Sequence, residues 1–522
     1  MELIKKHIHM NRCKGKSRIQ ITLEEDFNVP DAKGDIQKAV REKGVLELDQ
    51  VQGKEEKVSI KGKLIFGLLY GTQNPEKPFE SMEGQIPLEE NINLDGVTGD
   101  ETIHVDWEME DLSISAINSR KIAVKAMITL NVAAYYLADE EVVVEVSDTE
   151  PVEYIKKSMD VLEISLNKKD IFRIKEELDL PANHPNVQEI LFSSVEPRRI
   201  ETRLLDGNIS ISGEMSVFVL YEGVEEGSQV QWFENTVPFR GNLEISEVVA
   251  DQIPHIQVNL QKAQIDRKTD YDGEERILSL DCTLELDIHV YKEETLDVVS
   301  DIYSCSKELK PLMKQGDMER LFMKNTTKAR VSGNCSTPEE EHILQICHCQ
   351  GNVKIDQMQV QNDGVMVEGV VSVCVLYVSS QDASPLASVK TDLPFSQLIE
   401  GAGMSEQNTI SLKASMESLG AMMTGQNEIE IKAVVQLECF VVQPLREEMI
   451  SQVEEGMLDV ETLENLPGIV GYLVKEDDTL WNIAKTYYTT MDEIRNINQL
   501  STDNIKKGDK LLVVKKVNSV SL

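Results

Sequence analysis

The sequence predicts a mostly β protein, with three tandem sandwich-like or barrel-like repeats followed by a small α/β domain. The first observation behind this prediction is a motif that occurs three times, with a glycine eight residues before a tyrosine. The second is an apolar-Pro-apolar triplet whose proline follows each tyrosine by seventeen residues. The third is that the shared runs alternate at period two and are rich in β-branched residues, which is typical of strands. The motif residues are Gly62, Tyr70 and Pro87; Gly213, Tyr221 and Pro238; and Gly369, Tyr377 and Pro394.

Equal spacings through otherwise variable sequence indicate one fold present three times, with a period of about 150 residues. We predict the units over residues 1–150, 160–305 and 320–450, then an acidic linker over 451–468 and a last domain over 469–517. Within the first two units, segments 34–44 and 186–193 are each expected to form a short helix. The stretches between units, 146–166 and 300–325, are expected to be short helical connectors.

The repeated glycine, tyrosine and proline are best explained by folding rather than by a binding site. Glycine lets a strand bend or start, and proline is tolerated at the edge of a sheet. A tyrosine can close an apolar run while its hydroxyl finds a partner. The runs that end at these tyrosines are continuously apolar, which is expected of a strand covered on both faces.

Charge and hydropathy exclude several classes of protein. The chain of 522 residues has 53 Lys and Arg against 91 Asp and Glu, a net charge of −38. Such an acidic chain is repelled by nucleic-acid phosphates and by anionic membrane surfaces. We see no apolar run of signal-peptide or membrane-span length and no paired cysteine spacing. The sequence therefore predicts a cytoplasmic protein without a transmembrane segment.

The sequence contains no recognisable catalytic, nucleotide-binding or cofactor-binding motif, so we predict a protein that is not an enzyme and has no cofactor. The best local metal candidate is Cys347-His348-Cys349, with Cys335 and His342 nearby. Adjacent residues of a strand point to opposite faces, and structural zinc sites usually space their cysteines by two to four residues. No metal site is therefore predicted. Two further cysteines, Cys282 and Cys374, align with apolar positions of the other repeats and are expected to fill the core.

The last domain is predicted to fold as strand, helix, helix, strand. Asp478 or Thr479 can cap the first helix, whose buried face is formed by Leu480, Ile483, Ala484 and Tyr487. Thr490 and Glu493 form a capping box for the second helix. With fewer than 50 residues, the domain has only a small core.

This segment resembles a LysM module along its whole length, through Tyr-x-Val-x-x-x-Asp-Thr-Leu-Trp-x-Ile-Ala, Ile-x-x-Ile-Asn and Ile-x-x-Gly-x-x-Leu. The resemblance implies a shallow groove for N-acetylglucosamine polymers. One wall would be Asp477, Asp478, Thr479 and Leu480, and the other the loop from Asn498 to Ile505. The sequence departs from the family at Asp477, where glycine is usual, at Gln499 and at Val513-Val514. A Cβ and a charge at Asp477 are expected to crowd a bound sugar.

The first helix also presents an aromatic and cationic stripe. Trp481, Lys485 and Tyr488 lie at i, i+4 and i+7, on one side of the predicted helix and away from its buried face. Tryptophan and tyrosine are enriched in protein–protein hot spots, and here a lysine lies between them. We therefore predict a protein-binding face at these residues, with plain covering of the small core by Trp481 as the alternative.

Three β-rich repeats followed by one LysM module resemble the SipL family of clostridial spore-coat proteins, with SPOCS-type repeats. The resemblance implies a non-enzymatic morphogenetic scaffold in the mother-cell cytoplasm, at the surface of the forespore. Its LysM module would bind the coat ATPase SpoIVA, and the protein would meet other coat proteins. The alternative is a peptidoglycan-binding or cortex-glycan-binding protein.

Overall fold

The computed structural model describes residues 1–224, 230–339, 341–381, 385–459 and 464–516. Over these residues the chain forms three β units and a small C-terminal domain, which confirms the predicted fold class. Within the described residues, no helix is both long enough and apolar enough to cross a membrane.

Each unit consists of six antiparallel strands in two three-stranded sheets. In the first unit, one sheet has the strand order β2-β3-β4 and the other β1-β6-β5, and the core lies between the two sheets. The second unit repeats this as β8-β9-β10 and β7-β12-β11, and the third as β14-β15-β16 and β13-β18-β17. Each unit is thus a β-sandwich whose first and last strands pair. The strands are β1 (Glu2–Asn28), β2 (Lys38–Lys54), β3 (Lys57–Gly71), β4 (Phe79–Asn93), β5 (Thr102–Asn118), β6 (Lys121–Ser147), β7 (Glu153–Asp179), β8 (Val187–Leu205), β9 (Asn208–Gly223), β10 (Gln231–Glu244), β11 (Ile253–Thr269), β12 (Glu275–Tyr303), β13 (Glu308–Ser336), β14 (Ile343–Gln361), β15 (Gly364–Ser379), β16 (Leu386–Glu400), β17 (Thr409–Met423) and β18 (Glu428–Gly456).

The predicted helices in the β units are wrong. Segments 34–44 and 186–193 run into β2 and β8, which pair along their length with the central strands β3 and β9. Their mixed polar and apolar pattern fits a helix locally, but pairing with a buried central strand overrides that preference.

The predicted helical connectors are wrong for the same reason. Most of 146–166 and of 300–325 belongs to β7 and β13, which begin at Glu153 and Glu308, before the predicted unit starts at 160 and 320. Likewise β18 continues to Gly456, inside the segment predicted as a linker. The first and last strands of the units have 27 to 29 residues, far more than the usual five or six. Strand length is the feature that the sequence did not reveal.

The repeated glycines lie at bulges, and at two of the three the neighbouring backbone leaves no room for a side chain. Gly62, Gly213 and Gly369 each lie opposite a bulge in the neighbouring strand. A Cβ on Gly62 would lie 2.3 Å from the carbonyl oxygen of Glu47, and one on Gly369 would lie 2.3 Å from that of Lys354. No side chain fits at such a distance, so the structural explanation of this motif residue holds.

The repeated tyrosines and prolines also have folding roles. Tyr70, Tyr221 and Tyr377 are fully buried, and each hydroxyl bonds to the segment that precedes the second strand of its unit. The three prolines lie on β4, β10 and β16, which are edge strands where a missing N–H is tolerated. Each tyrosine points into the core of its own unit.

The three units meet in shared apolar clusters. Leu69, Leu220 and Leu376, each one residue before the repeated tyrosine, point away from their own cores into one cluster common to all units. A second cluster joins the outer halves of the long strands, with Met10, Met159 and Met318 among its members. The central strands are therefore covered on both faces, as their continuous apolar sequence predicts.

The C-terminal domain has two strands and two helices. Its elements are β19 (Ile469–Leu473), α1 (Leu480–Thr486), α2 (Met491–Ile497) and β20 (Lys510–Val514), with β19 antiparallel to β20.

Candidate functional site

The caps of the C-terminal domain agree with the sequence. Thr479 accepts a hydrogen bond from the backbone N–H of Asn482 at 3.1 Å, and Thr490 accepts one from Glu493 at 3.1 Å. These side chains satisfy N–H groups that a helix leaves unpaired at its start. The caps fix where α1 and α2 begin, and so they fix the loops that border the predicted groove.

The first wall of the predicted groove is a rigid turn. Asp477 has φ +68°, in the left-handed region that glycine adopts freely and aspartate tolerates. Asp478 accepts hydrogen bonds from the Tyr472 hydroxyl at 2.8 Å and the Lys475 backbone at 2.7 Å. Both hydrogen bonds lower the pKa of the Asp478 carboxyl, and the one from the Lys475 backbone has the larger effect on it. The turn therefore has a backbone shape that glycine also adopts, and the side chain of Asp477 is exposed.

The second wall is tied to the strand behind it. The amide of Asn498 donates to the carbonyl oxygens of Ile494 and Leu512, at 2.8 Å each, and its oxygen accepts from the Leu512 N–H at 2.7 Å. Ile505 packs against the small core together with buried Leu480. Of the predicted groove residues, Asp477 and Thr479 are exposed, whereas Asp478, Asn498 and Ile505 hold the fold together.

The face of α1 predicted to bind protein contacts the second β unit of the same chain. The indole Nε1 of Trp481 donates to Asp301 Oδ2 at 2.8 Å, and Lys485 Nζ lies 2.7 and 2.9 Å from the two carboxylate oxygens of Asp301. The indole packs edge-on against Tyr303, with ring centroids 4.7 Å apart. The Tyr303 hydroxyl donates to the Thr489 carbonyl oxygen at 2.8 Å. We call this contact the docking face.

The aromatic part of the docking face is well packed and buried. Trp481 is 6% exposed and Tyr303 is 5% exposed. Burial opposes ionisation of Asp301, but the hydrogen bonds from Lys485 and Trp481 outweigh it and hold the pKa of this carboxyl below its ordinary value. The carboxylate is thus held ionised between a cation and an indole N–H, an arrangement that fixes the orientation of the domain.

The predicted stripe is only partly present. Trp481 and Lys485 converge on one carboxylate, but α1 ends at Thr486, and Tyr488 has φ +49° in the turn that follows. Tyr488 is therefore not on the helix, and its backbone oxygen accepts from Lys516 N–H at 2.9 Å. Sequence reasoning missed Asp301 and Tyr303, because they lie where a connector was expected and no local motif marks them.

The opposite side of the domain is an open strand face. Ile469, Leu473 and Leu512 are 65, 58 and 46% exposed, and they alternate with inward-pointing residues on β19 and β20. Gly471 lies between the two β19 side chains and pairs with Leu512 across the ladder. The open strand face is therefore an aliphatic patch, with the exposed Lys510 at its edge.

The cysteine-rich segment does not form a common site. Cys347 belongs to the apolar cluster shared by the three units, whereas Cys349 packs against the core of the third unit. Between them, His348 stacks on Phe218 with ring centroids 4.1 Å apart. Cys282 and Cys374 are buried, as expected of core fillers.

One cavity of about 580 Å³ lies between the second and third units, and it is lined by Arg203, Arg240 and Lys413, among others. At this cavity, His255 Nε2 lies 3.0 Å from the Ser411 hydroxyl. Burial is the main cause that lowers the pKa of His255 to about 4. We interpret the pair as a contact that joins the two units.

Comparison with protein families assigns the parts of the chain. The family model described as SipL, SPOCS domain, matches three segments, residues 35–117, 186–268 and 342–424. Each match spans the middle four strands of one unit and leaves out the long first and last strands. The LysM domain model matches residues 472–514. A search of curated proteins and a search of solved structures gave no significant match.

Proposed function

The chain carries three SPOCS domains and a C-terminal LysM domain, the domain composition of a SipL-like protein, and from this premise we propose that it is a non-enzymatic scaffold of spore-coat assembly. In this proposal it acts in the mother-cell cytoplasm, at the forespore surface. It binds the coat ATPase SpoIVA through the LysM domain and promotes encasement of the forespore by coat proteins. The domain composition is the observation that carries the proposal, because it fits a coat-associated sporulation protein with a binding module.

The docked arrangement narrows the surface that a partner can use. Trp481 is buried against Tyr303, so an ATPase that meets the docked protein does not reach the indole. The open strand face remains, with Ile469, Leu473 and Leu512 exposed together. Exposed aliphatic patches commonly mark protein-binding sites. We therefore assign the ATPase contact to the open strand face, in place of the helix stripe.

The test is a binding comparison with the full-length chain. Purified SpoIVA is titrated in one arm and chito-oligosaccharide in the other, with the wild type, Leu512→Glu and Asp301→Ala. We expect SpoIVA to bind the wild type, Leu512→Glu to weaken binding at least tenfold, and Asp301→Ala to leave it unchanged. A charge placed in the centre of an apolar contact is costly to bury, which is why Leu512→Glu should weaken binding.

A matched control separates the site from a general effect of added charge. Leu344, on β14 of the third unit, is 62% exposed, and Leu344→Glu should bind SpoIVA like the wild type. Stronger binding by Asp301→Ala would instead assign the contact to the helix stripe that undocking exposes. Absence of SpoIVA binding to every form would overturn the proposed partner.

The second candidate function is glycan binding, which the LysM domain itself favours. The exposed residues Asp477 and Thr479 leave the mouth of the groove open to solvent. In the same titration, binding of chito-oligosaccharide without binding of SpoIVA would assign the protein to peptidoglycan or cortex glycan.

A further inference from the structure

Two histidines and an aspartate from different units converge at the junction of the first and second units. His104 lies on β5 of the first unit, whereas Asp287 and His289 lie on β12 of the second. Because side chains alternate along a strand, Asp287 and His289 point to the same face of β12. That face meets His104, so the cluster exists only where the two units are packed together.

The donor atoms are spaced as ligands of one small cation. His104 Nδ1 lies 2.6 Å from Asp287 Oδ2, and His289 Nε2 lies 3.5 Å from Asp287 Oδ1. One donor atom from each residue can be chosen so that all three lie within 4.8 Å of one another. Tetrahedral bonds of about 2.0–2.2 Å place ligand atoms roughly 3.3–3.6 Å apart. Movements of about an ångström would therefore close the three groups around an ion.

The cluster is nearly buried, and some of its polar side-chain atoms have no hydrogen-bond partner among the described residues. The side chains of His104, Asp287 and His289 are 15, 15 and 12% exposed. His104 Nε2, His289 Nε2 and Asp287 Oδ1 are buried without a hydrogen-bond partner among the described residues. Buried polar atoms are rarely left unpaired in a folded protein. The small remaining exposure leaves a path by which an ion can enter.

The residue types select the class of ion. Imidazole nitrogen suits zinc and its neighbours in the transition series, whereas calcium and magnesium prefer oxygen ligands alone. Asp106, two residues after His104 on the same side of β5, interacts electrostatically with both His104 and Asp287.

We propose that His104, Asp287 and His289 form a binding site for one divalent transition-metal ion of the zinc class, which joins the first and second SPOCS units. The ion takes one atom from each residue, and water or a nearby carboxylate completes its coordination. The site is structural, because its ligands come from strands that pack the two units together.

The site is tested on the full chain after metal removal with a chelator, under reducing conditions. Zinc is titrated against a competing chromogenic chelator, and cobalt is added separately to record its absorption spectrum. We expect one tight site per chain, a cobalt spectrum of tetrahedral or five-coordinate type without a thiolate charge-transfer band, and a higher melting temperature with zinc.

Ligand variants decide between this cluster and other binding groups. His104→Gln and His289→Gln should each weaken zinc binding by more than the roughly 10–100-fold that loss of an outer-shell partner costs. In both variants, zinc should no longer raise the melting temperature. Asp287→Asn keeps the side-chain shape and gives the same test without a loss of volume.

The matched control is His9→Gln. His9 Nδ1 lies 2.5 Å from Asp139 Oδ1, a similar pair on the surface, but it is not part of a three-ligand group among the described residues. This variant should bind zinc like the wild type. The proposal is overturned if the metal-free chain binds no zinc tightly. It is equally overturned if folded His104→Gln and His289→Gln, verified by circular dichroism, bind as the wild type does, or if the cobalt spectrum shows thiolate ligation.

Discussion

The two sides of the LysM domain differ in what covers them. The docking face has an aromatic ring, a cation and a carboxylate partner, and it is closed by β12 of the same chain. The open strand face has aliphatic side chains, with Lys510 at its edge, and faces solvent. Judged by residue type, Trp481 and Lys485 mark the stronger protein-binding surface. The comparison shows that residue type can identify an adhesive surface without saying which protein, or which part of the same chain, occupies it.

This difference changes how the domain can work. A LysM domain on a free linker would search for a partner independently of the β units. Here Trp481 bonds Asp301 and Tyr303 bonds Thr489, so the domain has a defined orientation on the second unit. A partner held on the open strand face would then be held in a fixed position relative to all three SPOCS units, which suits a scaffold.

The largest effect on docking of the LysM domain should come from Asp301→Ala. The change leaves the Lys485 ammonium and the Trp481 N–H without their shared acceptor. Water can reach the partly exposed Lys485, but the indole N–H is buried, and a buried unsatisfied donor costs roughly 1–3 kcal/mol. We expect the equilibrium constant for docking to fall by about 5–150-fold. Hydrogen exchange over 480–489 and over the end of β12 should then become faster.

Asp297→Ala is the control for this experiment. Asp297 lies four residues earlier on β12 and bonds Ser158, not the LysM domain. Hydrogen exchange over 480–489 in Asp297→Ala should match that of the wild type. Unchanged exchange in Asp301→Ala would show that the packing of Trp481 on Tyr303 and the Tyr303–Thr489 hydrogen bond hold the domain without the carboxylate.

An intermediate effect is expected from acid, since two carboxyl groups near the LysM domain have pKa values shifted in opposite directions. One is Glu153, the first residue of β7, which interacts electrostatically with Asp492 and Lys516 of the LysM domain. Burial, aided by Asp492, raises the pKa of Glu153, so protonation of Glu153 strengthens docking as pH falls towards that raised value. The pKa of Asp301 is lowered, so its contribution is fully present above its ordinary value of about 3.9 and is lost as pH falls through the lowered value. Docking should therefore strengthen as pH falls towards the raised pKa of Glu153, and weaken as pH falls from about 3.9 through the lowered pKa of Asp301.

Quenching of Trp481 fluorescence by acrylamide measures this profile in a chain with Trp107→Phe and Trp232→Phe. In that background Trp481 is the only tryptophan, because the sequence has three. Adding Lys485→Met should move the acid limb to higher pH, since the hydrogen bond that stabilises the carboxylate is gone. A profile that is flat from pH 7 to 3 would contradict a role for Asp301 in docking.

Much of the fold could be predicted from the sequence, and the failures have a common physical cause. The repeat, the two-sided burial of the central strands and the caps at Thr479 and Thr490 depend on local pattern, and these predictions are confirmed. The helices at 34–44 and 186–193 are wrong, because those residues are strands only through pairing with β3 and β9. Local preference decides an element only where tertiary pairing is absent.

The sites show the same limit. The Trp481 stripe was predicted from helix spacing, but its partner Asp301 is 180 residues away in sequence. His104 carries no motif that relates it to Asp287 and His289, since they meet only through the packing of two units. By contrast, Cys347-His348-Cys349 is conspicuous in sequence, and its members point to different clusters. In these two cases, residues that share a site are far apart in sequence, whereas adjacent residues do not share a site.

The smallest effect should come from Asp477→Gly, which tests the groove beside the two faces already compared. Asp477 holds φ +68° with an exposed side chain, so glycine relieves backbone strain and no side-chain contact is lost. The relief is partly offset by the greater freedom of glycine in the unfolded chain. We expect the LysM domain to gain up to about 1 kcal/mol in free energy of unfolding, with docking unchanged.

Asp477→Asn tolerates the same backbone and removes only the charge. If both variants gain affinity for chito-oligosaccharide, charge blocks the groove. If glycine alone does, the Cβ blocks it. If the free energy of unfolding of Asp477→Gly falls by more than about 1 kcal/mol, Asp477 has a stabilising role that its exposure does not predict.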